Sequence, residues 1–363
     1  MGYYNLLTKG LRELELSGHD GPYLMTEGKD SFKLIRVNRD SEIIMETKSP
    51  LPDSLYCVVE NEYEDAFTVS LNGIVPPTIS ANCIFPATST LLVISDIEGN
   101  FNAFNGLLLS NDVIDLNYNW TFADNALVIL GDVTDRGENV TQCLWLIYHL
   151  ENQARAVGGS VHYLLGNHEV MDFHLDVRYV HEKYLALAHR ISRFNDYPLA
   201  YHQLLERNNL LTVWMTGKNC VEKIGNTLFV HAGISPQLLG MKPGLREINS
   251  RLRAHLNKQE PDELSALLLS SYGPIWYRGL VKEQREYQKA PESFVDEILD
   301  FYKVKRIVVG HTLVDSVSTD YHGKLVRTDV LHAQTKFSEK SQALIIHEDE
   351  LYRVDARGKK ESI

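Results

Sequence analysis

Leu127-Val128-Ile129-Leu130-Gly131-Asp132-Val133-Thr134-Asp135-Arg136-Gly137 decides the fold. An apolar run of strand length breaks at a glycine and delivers two carboxylates and an arginine in one short loop. The same arrangement recurs on either side. Leu91-Leu92-Val93-Ile94 runs into Ser95-Asp96-Ile97-Glu98-Gly99-Asn100, and Val161-His162-Tyr163-Leu164-Leu165 into Gly166-Asn167-His168-Glu169. Further on, Thr227-Leu228-Phe229-Val230 precedes His231-Ala232-Gly233, and Ile307-Val308-Val309 precedes Gly310-His311-Thr312. Loops at the carboxyl ends of strands converge on one rim of a sheet, where chemistry gathers. Any one of these turns has an ordinary explanation, since Asp and Gly dominate loops. Five in a row, each with Asp, Asn, His or Glu, describe one polynuclear metal site.

The residue types suit that chemistry. Two divalent ions roughly 3.5–4 Å apart need a bridging carboxylate with oxygen and imidazole ligands on each side. Asp132 is the natural bridge, with Asp96 on one ion and Asn167, His231 and His311 on the other. Such a pair polarises a phosphoryl oxygen and brings a bound water from a pKa of 15.7 to about 7. His168 is placed to protonate a leaving group, with Asp135 fixing its tautomer. Arg136 offers a planar fork to phosphate oxygens.

Together the motifs G-D-V-T-D-R-G (131–137), G-N-H-E (166–169), H-A-G (231–233) and G-H-T (310–312) resemble the metallophosphoesterase (calcineurin-like) superfamily, in its phosphoprotein phosphatase branch. Within it, D-I-E-G at 96–99 and the runs Leu144 to Tyr148, Gly158 to His162 and Arg178 to Val180 are similar to the Shewanella-type cold-active protein-tyrosine phosphatases. The resemblance covers roughly residues 90 to 355. It implies an α/β fold, a metallophosphatase two-sheet β-sandwich flanked by helices. It also implies hydrolysis of a phosphomonoester by direct attack of a metal-bridging hydroxide. The substrate would be a phosphotyrosine or phosphoserine/threonine protein, with a small phosphoester such as a dinucleoside tetraphosphate as the alternative. The cofactors would be two divalent ions, Mn, Fe, Zn or Mg.

In this branch an arginine between the last two motifs joins the loop arginine on the phosphate. Arg278, in Gly273-Pro274-Ile275-Trp276-Tyr277-Arg278-Gly279, matches it; packing on Trp276 is the competing role. Glu98 stands where most of the superfamily has His. It is expected to ligate the first ion with Asp96 and Asp132, the other possibility being a hydrogen bond to a bound water. A carboxylate there favours Mn²⁺ or Mg²⁺.

Composition narrows the partners. A net charge of −12 over 363 residues, with no compensating Lys/Arg cluster, argues against a nucleic-acid surface. No apolar stretch approaches the roughly 18 residues of a membrane span. Cys57, Cys83, Cys143 and Cys220 lie far apart with no C-x-x-C or C-x5-R pattern, which suits reduced thiols in a cytoplasmic protein and no cysteine nucleophile. Met1-Gly2-Tyr3-Tyr4-Asn5-Leu6 carries neither a signal-peptide apolar run nor a myristoylation Ser/Thr.

Two regions are expected. Residues 1–88 read as a β-rich accessory module of short strands between Pro/Gly turns, ending near Ile74-Val75-Pro76-Pro77. Within it, Glu60-Asn61-Glu62-Tyr63-Glu64-Asp65 reads as a solvated face. Residues 89–363 read as the catalytic domain, with helices over Asn100 to Leu109, Thr141 to Val157, Glu247 to Leu269 and Pro291 to Tyr302. A helical insertion at about 172–211 caps the site, Tyr179 contributing to its apolar face. His162, His174, His181, His189, His202 and His332 are assigned surface or packing roles.

Overall fold

Short runs that are apolar at every position, rather than at alternate ones, can be satisfied only by strands covered on both faces. The computed structural model, which describes residues 14–28, 31–71, 82–206, 208–256 and 262–363, builds two layers from such strands. Before them come β1 (Asp20–Glu27), β2 (Ser31–Val37) and β3 (Ile43–Lys48), an antiparallel sheet, and β4 (Ser54–Val58) with β5 (Ala66–Ser70), a hairpin. The strands that follow are β6 (Ile84–Phe85), β7 (Thr90–Ile94), β8 (Ala126–Ile129), β9 (Ser160–Tyr163), β10 (Val221–Ile224) and β11 (Thr227–Val230). The last are β12 (Arg306–Val309), β13 (Ser318–Asp320), β14 (Leu325–Arg327), β15 (Gln342–His347), β16 (Glu350–Asp355) and β17 (Lys360–Ser362). One six-stranded sheet has the order β17-β16-β15-β7-β8-β9, and the other β13-β14-β12-β11-β10-β6.

Alternation within each strand divides its side chains between two cores. Leu91 and Val93 of β7 and Val128 of β8 meet Phe229, Val308 and Val326 of the opposite sheet, forming the filling of the sandwich. Leu92, Ile94, Leu127 and Ile129 point outward into a second core with helices Phe101–Ser110 and Val140–Ala156. The outer face of the second sheet is covered by helices Leu245–Leu256, Glu263–Leu269 and Glu292–Tyr302. The 172–211 stretch forms helices Glu182–Ile191, Tyr197–Leu204 and Leu210–Thr216.

The N-terminal strands are seated on Val140–Ala156 and share its core, with Leu24, Ile35, Cys57 and Val69 buried beside Trp145 and Leu146. Polar ties fix the seat: Trp145 Nε1 donates to Pro22 O at 2.8 Å and Gln142 Nε2 to Val58 O at 3.1 Å. Ile74-Val75-Pro76-Pro77 lies outside the described residues. No described helix is long and apolar enough to cross a membrane.

Trp145 is fully buried and bridges the two regions. Trp145→Ala is expected to cost about 3–5 kcal/mol in urea denaturation, from lost packing and a cavity. Trp145→Phe, which gives up chiefly the bond to Pro22, should cost roughly 1 kcal/mol.

Candidate metal centre and active site

Strand direction assembles the site. β7, β8 and β9 run parallel, so the loops holding Asp96, Asp132 and Asn167 emerge at one edge. β11 and β12 are parallel in the facing sheet and carry His231 and His311 to the same rim. The loops approach so closely that a Cβ on Gly131 would lie 2.6 Å from Gly166 N and 2.7 Å from His231 Nδ1. A left-handed backbone is imposed on the chemistry itself: Asp96, Glu98, Asp132, Asp135, Arg136 and His311 all have φ between 48° and 73°. Non-glycine residues resist that region, and such strain persists only where surrounding structure imposes it.

Asp132 lies at the centre. Its Oδ2 is 3.2 Å from His231 Nε2 and 3.8 Å from His168 Nε2, and its Oδ1 accepts from His168 N at 3.0 Å. Asp132, His231 and His311 offer donor atoms within 4.8 Å of one another, as do Glu98, Asp132 and His168. Asn167 Oδ1 is 3.1 Å from His231 Nε2, and Asp96 Oδ2 accepts from His311 N at 3.0 Å.

Two details fit this set to divalent cations. His231 Nδ1 donates to Leu130 O at 2.6 Å, which leaves Nε2 facing two acceptors, Asp132 Oδ2 and Asn167 Oδ1. A proton or a cation must sit between these three atoms, and a bound metal would take the place of that proton. Buried Nε2 of His311 has no hydrogen-bond partner among the described residues. Hard oxygens and imidazoles in this mixture suit Mn, Fe, Zn or Mg.

The charges are strongly coupled. Burial, reinforced by Asp329 and Asp132, pushes Asp96 well above the usual carboxylate range. Burial with the charges of Asp132 and Glu169 does the same to Asp135. Burial also opposes charge on Asp132, yet the attraction of His231 and His168 outweighs it and holds Asp132 well below that range. His231 is raised to about 10 by Asp132 despite its burial. His311 is driven well down by burial and by the charges of His231 and Arg278. Cations among these carboxylates would offset the cost of burying them together.

His168 Nδ1 is 2.6 Å from Asp135 Oδ2, so its Nε2 faces Asp132 and the cavity. Arg136 pairs with Glu98 and lies over the ring of Tyr179, 5.1 Å from its centroid. Arg278 donates to His311 O and lines the cavity; it is the ring of Trp276 that meets His311, edge-on at 5.8 Å. The cavity has a volume of about 880 Å³ and opens to solvent.

Several groups escaped the sequence reading. Glu169 is fully buried and accepts from the backbone N–H of Asp132 (3.0 Å), Val133 (2.7 Å), Thr134 (3.2 Å) and Gly166 (2.7 Å). Its place in G-N-H-E was the only signal. Asp329 lines the cavity at 8% exposure, with no flanking motif to mark it. Tyr179 leaves the apolar face expected of it: its ring stands 5.1 Å from that of His168. His181 and His332 also line the cavity, His332 buried with Nε2 3.1 Å from Ser95 O. The stretch 60–65 is not simply a solvated face. Glu60, Asn61 and Glu62 form one lip of the cavity, and Asp65 is tied to Lys336 (3.0 Å) and Tyr118 (2.6 Å). A turn between β4 and β5 thus contributes to a site built by the distant strands.

Residues 89–315 match the calcineurin-like phosphoesterase family. The chain belongs to this family. It is a phosphoester hydrolase. An uncharacterized protein of Schizosaccharomyces pombe is 31% identical over 246 residues, 66% of this chain and 70% of the relative. Shewanella-like protein phosphatase 1 of Plasmodium berghei is 27% identical over 61% of this chain, which spans 60% of that protein's length. The crystal structure of a cold-active protein-tyrosine phosphatase from a psychrophilic Shewanella superposes with a TM-score of 0.81 at 28% identity, covering 95% of this chain and 99% of the other.

Glu169→Ala leaves four buried N–H groups unpaired, each costing about 1–3 kcal/mol. Thermal denaturation should show a loss of several kcal/mol, and plasma mass spectrometry a fall in bound metal. Glu169→Gln, which retains an acceptor oxygen, should fall between this variant and the parent in both measurements.

Proposed function

We propose that the chain is a dinuclear metal-dependent phosphomonoesterase acting on phosphorylated proteins, at phosphotyrosine or phosphoserine/threonine. The observation that carries the reading is the Asp132-centred donor set adjoining His168 and two arginines in one open cavity, with Asp135 buried behind His168. Asp96, Glu98 and Asp132 would hold one ion, and Asp132, Asn167, His231 and His311 the other. When bound, the ions polarise the phosphoryl oxygens and acidify a coordinated water.

The side chains supply the rest. Arg136 and Arg278 bind the equatorial oxygens of the phosphoryl group as charge spreads over them. Arg136 is already oriented by Glu98 and Tyr179, and Arg278 by the carbonyl of His311. His168 donates the Nε2 proton to the departing oxygen while Asp135 holds Nδ1 and steadies the imidazole as its charge changes.

The lip favours a protein substrate. Glu60, Glu62 and Glu138 line the cavity, whereas the cations there are Arg136, Arg278 and Lys282. A polyphosphate chain would meet more like charge than it could neutralise. A phosphoresidue brings one dianion to the arginines. The relatives named as protein phosphatases agree.

Turnover of tyrosyl and seryl phosphopeptides with Mn²⁺, set against diadenosine tetraphosphate, tests the substrate class: faster cleavage of the dinucleotide would sink it. Failure to hydrolyse even p-nitrophenyl phosphate would leave a metal-binding protein without turnover. His168→Gln should lower kcat by about 10²–10⁴-fold on phosphotyrosine and far less on p-nitrophenyl phosphate, whose leaving group scarcely needs a proton. Equal losses would mean that His168 acts only on the metals.

A further inference from the structure

We propose that Asp329 is a direct ligand of the ion on the Asp96 side of the centre, joining Asp96, Glu98 and Asp132. The inference rests on the dinuclear reading above and adds to it a residue outside the five motif loops.

Placement comes first. β14 lies parallel to β12, so the chain leaving it, Thr328-Asp329, emerges beside the Gly310-His311 loop. Thr328 N donates to Val309 O at 2.8 Å, and Thr328 Oγ1 to Ser95 Oγ at 3.0 Å. Val314 N donates to Asp329 O at 2.9 Å, and His332 Nε2 approaches Ser95 O at 3.1 Å. The backbone of Asp329 is therefore held between the loop that carries Asp96 and the loop that carries His311. This is a sixth strand end on the same rim.

The side chain is anomalous. Asp329 is 8% exposed and lines the cavity, yet its carboxylate has no hydrogen bond or ion pair among the described residues. The other buried carboxylates there are partnered: Asp96 by His311 N, Asp132 by His168 N, Asp135 by His168 Nδ1 and Glu169 by backbone N–H groups. Buried charges without partners are rare because desolvation is not repaid. The neighbouring arginines are engaged elsewhere, Arg136 with Glu98 and Arg278 with His311 O. The carboxylate of Asp329 is thus left open to the cavity, free to meet a cation there.

Asp96, Asp132 and Asp329 line one cavity, and ligation would draw their carboxylates together around a divalent ion. Four carboxylates on that side favour Mn²⁺ or Mg²⁺, while the imidazoles of His231 and His311 belong to the other.

Asp329→Asn is tested by Mn²⁺ titration calorimetry, by metal content after gel filtration, and by melting in EDTA. The parent should bind two Mn²⁺ per chain. Asp329→Asn should keep the ion on the His231 side and bind the other at least tenfold more weakly, its exchange-coupled EPR signal giving way to that of an isolated ion. In EDTA it should melt no lower than the parent, because an unpartnered buried charge is gone. Two ions bound with parental affinity would overturn the assignment, as would a markedly lower melting temperature in EDTA, which would give the carboxylate to the fold. If the parent itself binds fewer than two ions, the dinuclear reading fails and this inference with it.

Discussion

The carboxylate of Glu169 holds the site together. It sits at the first turn of helix Asn167–Phe173 and receives N–H donors from the loop after β8 as well as from Gly166. Backbone amides and a helix N-terminus stabilise a buried anion without supplying a competing cation. That distinction is physical and decisive. A lysine or arginine at this point would neutralise the charge that Asp132 must present, whereas amides fix the loop and leave Asp132 fully anionic toward the cavity.

Around this anchor the protein gathers several buried carboxylates. Asp96, Asp132, Asp135 and Asp329 are buried along one rim, several in left-handed backbone. Such a collection is costly in isolation. The two-sheet sandwich supports it because strands buried on both faces do not yield, and because the packed loops have no room to relax. Strain and repulsion at the rim are carried by apolar packing beneath it. The same rigidity leaves His231 Nε2 facing two acceptors.

The N-terminal strands take part through two contacts of different kinds. Their apolar residues join the core around Val140–Ala156, which contributes stability. Their β4–β5 turn reaches the cavity, fixed there by Asp65 with Lys336 and Tyr118 and by Asn61 with Asn102 at 2.8 Å. The cavity is thus bordered by this acidic turn as well as by the exposed Leu313 and Leu331. In sequence this turn is a run of polar residues indistinguishable from any solvated loop, since nothing local records which distant element it covers.

Residues that announce themselves through local pattern were legible. Each motif couples an apolar run to the loop that follows it, so strand, glycine and ligand type appear within about ten residues of one another, a distance over which burial patterning is informative. That is why the loops bearing Asp96, Asp132, Asn167, His168, His231 and His311, and the α/β sandwich that brings those loops to one rim, are legible in the sequence. What only the tertiary structure decided depends on neighbours across the sheet. Asp329 follows a three-residue strand with no motif, and it reaches the cavity because β14 is laid beside β12. Tyr179 reads as one more apolar helix residue until its turn folds back over His168 and Arg136. Glu98 pairs with Arg136 because two loops distant in sequence meet at one edge. Periodicity encodes how deeply a residue is buried; strand order, which is set by packing of the whole core, determines what it is buried against.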